Sequence, residues 1–240
     1  KRIAIILANY PNKDSRLGNG VGLDTPASVI EFLKDLKKRG YCISQSSEYR
    51  LKNISSSEQD IGVEVSETKF PQTGDELIRI LQEGITNDAE QNYGKIPEQG
   101  ISRERLFEMI GSLQSPGIPE NQSQITLSKQ WTHEVPDYIP VPGKRFGNVF
   151  IGIQPQRGFG LQTQAIYHDP ALSPPPEYLA FYQWIREDFD AHAVVHFGKH
   201  GNLEWLPGRS VGLGADDFPQ IALKNLPNLY PFIVNDPGEG

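Results

Sequence analysis

The chain opens on an unbroken apolar run at residues 3–8, IAIILA, which suits a strand buried on both faces. A polar, glycine-rich stretch follows, NYPNKDSRLGNGVGLD. Thr25-Pro26 then reads as an N-cap with proline at the first helical position. Val29, Ile30, Leu33 and Leu36, with Phe32, make an apolar stripe at helical spacing, and Gly40 supplies the stop. Strand, glycine loop and capped helix form half of a βαβ unit. Residues 41–44 are predicted as a short second strand.

The pattern then turns polar. Residues 45–70 hold six serines and many charges without a usable period, and a long connection is expected there. Thr73-Gly74-Asp75-Glu76 is a capping-box pattern opening an amphipathic helix that Gly84 ends. Residues 103–113 read as another helix. The expected organisation is a first α/β portion at 1–44, a polar connection and helical insertion at 45–140, and the rest of the α/β domain at 141–240.

From residue 147 the α/β rhythm returns. Residues 148–153 form a predicted strand, followed by QPQRGFG. Pro174–Pro176 lead into a helix bearing Tyr178, Phe181, Trp184, Ile185 and Phe189, whose aromatic side chains read as packing. Residues 193–196 are a short predicted strand, followed by FGKHGNLEWLPG. Residues 230–234 are a last one, followed by NDPGEG. The fold class predicted is α/β, an open and mainly parallel sheet with flanking helices and a helical insertion. Four strands are each followed by a loop dense in polar residues and glycine. In an open parallel sheet such loops leave the carboxyl ends and face one crevice, where ligands bind. Arg16, Gln154, His200 and Asn235 are therefore expected to converge.

Composition narrows the function. With 23 basic and 30 acidic side chains the net charge is −7, without a basic stripe, which argues against nucleic acid and anionic membrane surfaces. No apolar run approaches the roughly 20 residues of a bilayer crossing. The single cysteine, Cys42, excludes an internal disulfide and a cysteine-rich zinc site, and a reducing, cytoplasmic setting is the expectation. The chain starts and stops flush against apolar runs, so it reads as a piece of a longer protein.

His196, His200 and Glu204 stand at i, i+4 and i+8, the mixed nitrogen and oxygen set that first-row divalent metals accept. Gly198 and Gly201 make a strand-to-loop turn the expected setting rather than a helix. The pattern is not HExxH, since residue 197 is Phe. The alternative is that His196 ends a buried strand and His200 caps a turn. His192 precedes the strand and is expected to be exposed, and His133 and His168 read as surface or structural. Gln154 and Arg157 lie in a loop after a strand, where an arginine holds a carboxylate or phosphate, or pairs with a neighbouring acid; Arg16 has the same two readings. GNGVG misses the GxGxxG spacing and no GxxxxGK[ST] occurs, so any ATP site belongs to another polypeptide. Trp205 and Leu206 either wall an apolar cavity or belong to the core. Asn235 and Glu239 are candidates through the crevice argument alone.

The strings VVHFGKHGNLEWLPGRSVGLG and FPQIALKNLPNLYPFIVNDPGEG resemble the large subunit of ATP-dependent cobaltochelatase, a relative of the porphyrin-binding large subunit of magnesium chelatase. The opening RIAIILANYPNKDSRLGNGVGLDTPAS and the middle FGNVFIGIQPQRGFG resemble the same family, and FPQTGDELIRILQEGITND does so weakly. EWLPG and NDPGEG look cobalt-type, whereas the magnesium type is expected nearer EFMPG and NPSEA. The chain departs at PPPEYLA, where a histidine beside the prolines is expected, so no histidine role carries over to Pro176.

The resemblance implies insertion of Co²⁺, as substrate, into a corrin-ring precursor, hydrogenobyrinic acid a,c-diamide, on the route to cobalamin. It implies partners too: AAA+ ATPase and accessory subunits that bind ATP and Mg²⁺. On that reading His196, His200 and Glu204 receive the metal, and Glu204, Glu239 or a neutral histidine takes protons from ring nitrogens. Arg16, Arg157 and Lys199 hold peripheral carboxylates, Trp205 faces the ring plane, and Gln154 and Asn235 line the site. The rivals are a magnesium or nickel chelatase subunit acting on a porphyrin, a non-catalytic tetrapyrrole-binding module, and, last, a metal-dependent hydrolase.

Overall fold

The structure, a computed structural model, describes residues 1–9, 13–20, 22–43, 70–112, 135–156, 174–198, 203, 206, 214 and 217–231. The connection expected over 45–70 lies, except for Phe70, outside the described residues.

The first apolar run is β1 (Ile3–Leu7), buried at every position. Its loop carries a two-residue hairpin, β2 (Asn19–Gly20) and β3 (Leu23–Asp24), that delivers the chain into α1 (Thr25–Lys38). The N-cap of α1 is Asp24, not Thr25: the Asp24 carboxylate accepts from the Ala27 N–H at 3.0 Å. Two adjacent residues can both cap, and burial decides between them, because Thr25 is sunk in the interior with proline behind it.

At the start of α2 (Gly74–Glu83) the N-cap half of the predicted capping box forms, and the return bond falls one residue before the cap. Thr73 Oγ1 accepts from the Glu76 N–H, and the Glu76 carboxylate accepts from the Gln72 N–H. Then come β4 (Gly100–Ser102), α3 (Arg103–Ser112), and β5 (Tyr138–Pro140) antiparallel to β4. The last section holds β6 (Gly143–Phe146), β7 (Val149–Ile153), α4 (Pro176–Glu187), β8 (Ala193–Phe197), α5 (Phe218–Leu223) and β9 (Asn228–Leu229).

The main sheet runs β6-β7-β1-β8-β9. β7, β1, β8 and β9 are parallel, and β6 is antiparallel to β7. Two expected strands differ. Residues 41–43 make none, because both places beside β7 are taken, by β1 and by β6; the Cys42 carbonyl instead accepts from the Asn148 N–H at 2.9 Å. Among the described residues the last strand is 228–229, and residues 230–231, where the expected one begins, carry none, since Pro231 has no N–H to extend a ladder. Residues 44 and 232–234 fall outside the described residues.

Alternation divides the core into two layers. Ile3, Ile5, Leu7, Val149, Ile151 and Val195 face α1 and α2, meeting Val29, Leu33, Leu77 and Leu81. Ala4, Ile6, Phe150 and Val194 face α4, with α3 and α5 beside it. The segment between the two α/β portions thus supplies one helix to each layer. Every residue of α4 from Tyr178 to Ile185 is buried. Each such large side chain contributes about 1.5–3 kcal/mol on leaving water.

Candidate functional site

Register aligns the strand ends. Ile6 pairs with Gly152 on one side and His196 on the other, and Leu7 pairs with Ile153 and Phe197. The loops after β1, β7, β8 and β9 therefore leave along one edge of the sheet.

Gln154, one residue beyond β7, is held from three directions. Its N–H donates to the Leu7 carbonyl at 3.0 Å, and its carbonyl accepts from Asn87 Nδ2 at 2.8 Å. Its side-chain Nε2 donates to the Tyr182 hydroxyl at 2.9 Å. That hydroxyl lies 2.8 Å from His196 Nε2, and His196 Nδ1 lies 2.7 Å from Asn228 Oδ1. Gln154 and His196 are each 3% exposed and Tyr182 is fully buried, while Asn228 ends the chain of bonds at the surface. The chain crosses from β7 to β9 on the α4 side, bridging β1.

Chemistry fixes its direction. Asn228 Oδ1 only accepts, so His196 Nδ1 carries the proton and Nε2 keeps its lone pair. Tyr182 donates into that lone pair and accepts from Gln154. Burial pushes the His196 imidazole down to about 4, against a smaller upward effect of the Asn228 hydrogen bond, so the ring is neutral near pH 7.

Arg16 is exposed at the end of the short 3-10 turn Asp14–Arg16. The end of α2 and the segment after it hold that turn: Asp88 accepts from Lys13 Nζ and from the Asp14 N–H, and Gln82 donates to the Asp14 carbonyl. Asn87, the neighbour of Asp88, holds Gln154, so one segment ties the turn to the exit of β7. The hydrogen bonds to Glu90 and Asp88 raise the Lys13 ammonium above its ordinary range.

Two further groups escaped the sequence reading. Both amide atoms of Asn9, 5% exposed just past β1, have no hydrogen-bond partner among the described residues. The same holds for the buried Thr25 hydroxyl. Thr25 is wedged between two glycines: a Cβ on Gly20 would stand 2.8 Å from its Oγ1, and one on Gly198 3.4 Å. Gly198 also has φ +124°, a backbone that side chains disfavour.

Of the predicted site residues, the structure brings Gln154 and His196 into one network and sets Arg16 on the loop after β1. Arg157, Lys199, His200, Glu204, Trp205, Asn235 and Glu239 lie outside the described residues, as do His133 and His168. Leu203 and Leu206, which flank Glu204 and Trp205, are buried in the α4-side core. His192 is exposed as expected, its Nδ1 accepting from the Arg2 N–H at 3.0 Å. Among the described residues no group of three or more His, Cys, Asp or Glu side chains gathers as a metal-holding set. No described helix is long and apolar enough to cross a membrane.

Tyr182 and Asn228 were not legible as site residues. Tyr182 belongs to an aromatic helix that reads as packing, and Asn228 lies 32 positions from its partner. The available signal was His196 itself, an imidazole in an otherwise apolar strand that demands polar partners.

The family model described as CobN/Magnesium Chelatase matches residues 1–240, and the chain belongs to that family. It is 42% identical over its whole length to the aerobic cobaltochelatase subunit CobN of Pseudomonas aeruginosa, covering 17% of that protein. It is 28% identical over its whole length to the chloroplastic magnesium-chelatase subunit ChlH of Oryza sativa, covering 15% of that protein. Among solved structures, the catalytic subunit of cobaltochelatase from Mycobacterium tuberculosis matches with a TM-score of 0.69 at 36% identity, over all of this chain and 18% of that one. The chain thus spans about a sixth of the length of the relatives it matches.

Proposed function

We propose that this chain forms part of the macrocycle-binding large subunit of a cytoplasmic, ATP-dependent chelatase that inserts Co²⁺ into hydrogenobyrinic acid a,c-diamide. The observation that carries the cobalt reading is the gradient of identity, 42% to a cobaltochelatase subunit against 28% to a magnesium-chelatase subunit over the full chain. EWLPG and NDPGEG support it. AAA+ ATPase partners bind ATP and Mg²⁺ and supply the energy.

In this reading His196, His200 and Glu204 receive the metal, replacing its water ligands with a set loose enough to release it. Metal entry and proton loss are coupled, so a base must take the ring protons; Glu204 and Glu239 fill that role. Arg16, Arg157 and Lys199 hold peripheral carboxylates of the macrocycle, Trp205 faces its apolar plane, and Asn235 lines the site. Gln154 contributes through Tyr182, to which its side chain is bonded.

The test is a binding titration of the full-length parent protein with hydrogenobyrinic acid a,c-diamide and with protoporphyrin IX. Selective binding of the corrinoid is expected. Selective binding of the porphyrin would move the protein to the magnesium branch. Tight ring binding without partner-dependent metal insertion would make it a carrier module.

A further inference from the structure

Residues 92–96, between α2 and β4, form a turn whose two apolar side chains lie in water. Tyr93 is 98% exposed and Ile96 85%, whereas Leu229, the next large hydrophobic among the described residues, is 54% exposed. Single apolar side chains on a surface are ordinary, but these two stand three positions apart on a backbone pinned at both ends. The Asn92 side chain accepts from the Thr86 N–H at 2.9 Å and donates to the Thr86 carbonyl at 2.8 Å. The Lys95 N–H closes the turn on the Asn92 carbonyl at 3.1 Å, with Gly94 at φ +75°. The Lys95 ammonium folds inward onto the carbonyls of Gln82 and Gly84 at the end of α2, at 2.6 and 2.9 Å. It is the only charged side chain in residues 91–97, so the turn shows water an uncharged face on a chain of net charge −7.

We propose that Tyr93 and Ile96 are the docking point for a domain of the parent polypeptide outside residues 1–240. This rests on the reading of the chain as part of a larger subunit given above; it covers only 17% of one relative and 18% of another. Size selects this occupant. A complex between separate molecules takes roughly 800 Å² from each side, far more than two side chains provide. A tethered domain meets the turn at an effective concentration on the order of millimolar, so a small apolar contact suffices. The pinned backbone has lost its freedom beforehand, which lowers the cost of docking, and tyrosine offers a large, rigid ring. The docked surface is expected to be an apolar pocket with a polar group at its far end for the phenol. Position gives the contact a consequence. Thr86, which holds Asn92, adjoins Asn87 and Asp88, which hold the exit of β7 and the turn before Arg16. A domain seated on residues 92–96 therefore bears on the carboxyl edge of the sheet.

The experiment uses the full-length parent protein with p-benzoylphenylalanine placed at Tyr93, a position so exposed that the probe leaves this domain's packing alone. Irradiation and peptide mapping are expected to join residue 93 to a peptide outside residues 1–240 of the same molecule, with a yield independent of protein concentration. Crosslinks confined to residues 1–240, crosslinks found only between two copies, or none at all overturn the proposal. A second measurement is limited proteolysis of the parent carrying Y93S/I96S. Both side chains lie in water within this domain, so the change should not loosen its interior. Cleavage between domains is nevertheless expected about tenfold faster, a modest effect for uncovering even one large apolar side chain. An unchanged rate counts equally against the docking. The macrocycle titration fails separately. A parent that crosslinks as expected but binds neither ring loses the chelatase reading and keeps this contact. One that binds the corrinoid while residue 93 reacts with nothing loses the contact alone.

Discussion

Gly152 lies directly beneath Phe181: a Cβ at Gly152 would stand 2.6 Å from Phe181 Cζ and 2.8 Å from Phe150 Cε1. The helix that carries Tyr182 approaches the sheet this closely because β7 has no side chain there. Both rings are buried and have nowhere to retreat. Gly152→Ala should therefore destabilise the protein by about 1–3 kcal/mol through overpacking. Urea unfolding of the variant checks this, and wild-type stability would show that α4 can shift freely.

The cap of α1 gives a paired prediction. Asp24→Ala should cost about 1 kcal/mol by removing the acceptor for the Ala27 N–H. Thr25→Val should be neutral or stabilising, because the hydroxyl it removes is buried without a partner among the described residues. Thermal denaturation of both variants discriminates, and the opposite ranking would return the cap to Thr25.

Stability should depend on pH through His196. Its folded pKa of about 4 lies below the ordinary 6.5, so between these values the unfolded chain binds more protons than the folded one. The contribution is complete above pH 6.5, falls as the pH drops through the window, and levels off below about 4. The slope approaches about 1.4 kcal/mol per pH unit. His196→Gln should flatten this window in metal-free denaturation curves, and an unchanged slope would refute a buried neutral imidazole.

Asn228 is predicted to act on that imidazole from the outer side. Asn228→Ala leaves the Nδ1 proton of His196 without its side-chain acceptor and should cost about 1 kcal/mol, since water reaches this end of the network. A loss well above 3 kcal/mol in chemical denaturation would mean that Asn228 supports the sheet edge in some other way.

Much of the architecture could be read from the residues because local signals agreed with the tertiary outcome. The run at β1 is apolar throughout because both faces are covered, and Thr73 caps α2 through the N–H of Glu76, close by in the chain. The reading failed where distant partners decide. Residues 41–43 lose their strand to β6, about a hundred positions later in the chain. Thr25 loses the cap to Asp24 because two glycine-bearing loops enclose it. At the site, His196 was visible by its type, but the residues that determine its tautomer come from α4 and β9, and no spacing rule links them.

Asn87 and Asp88 are consecutive, yet one is bonded to the exit of β7 and the other to the turn before Arg16. A single added or deleted residue between α2 and this pair would pull both strand exits out of place together. Length variants of the protein should thus be tolerated poorly in this stretch, and any graft of the β1 and β7 loops onto another scaffold must carry residues 82–91 with them.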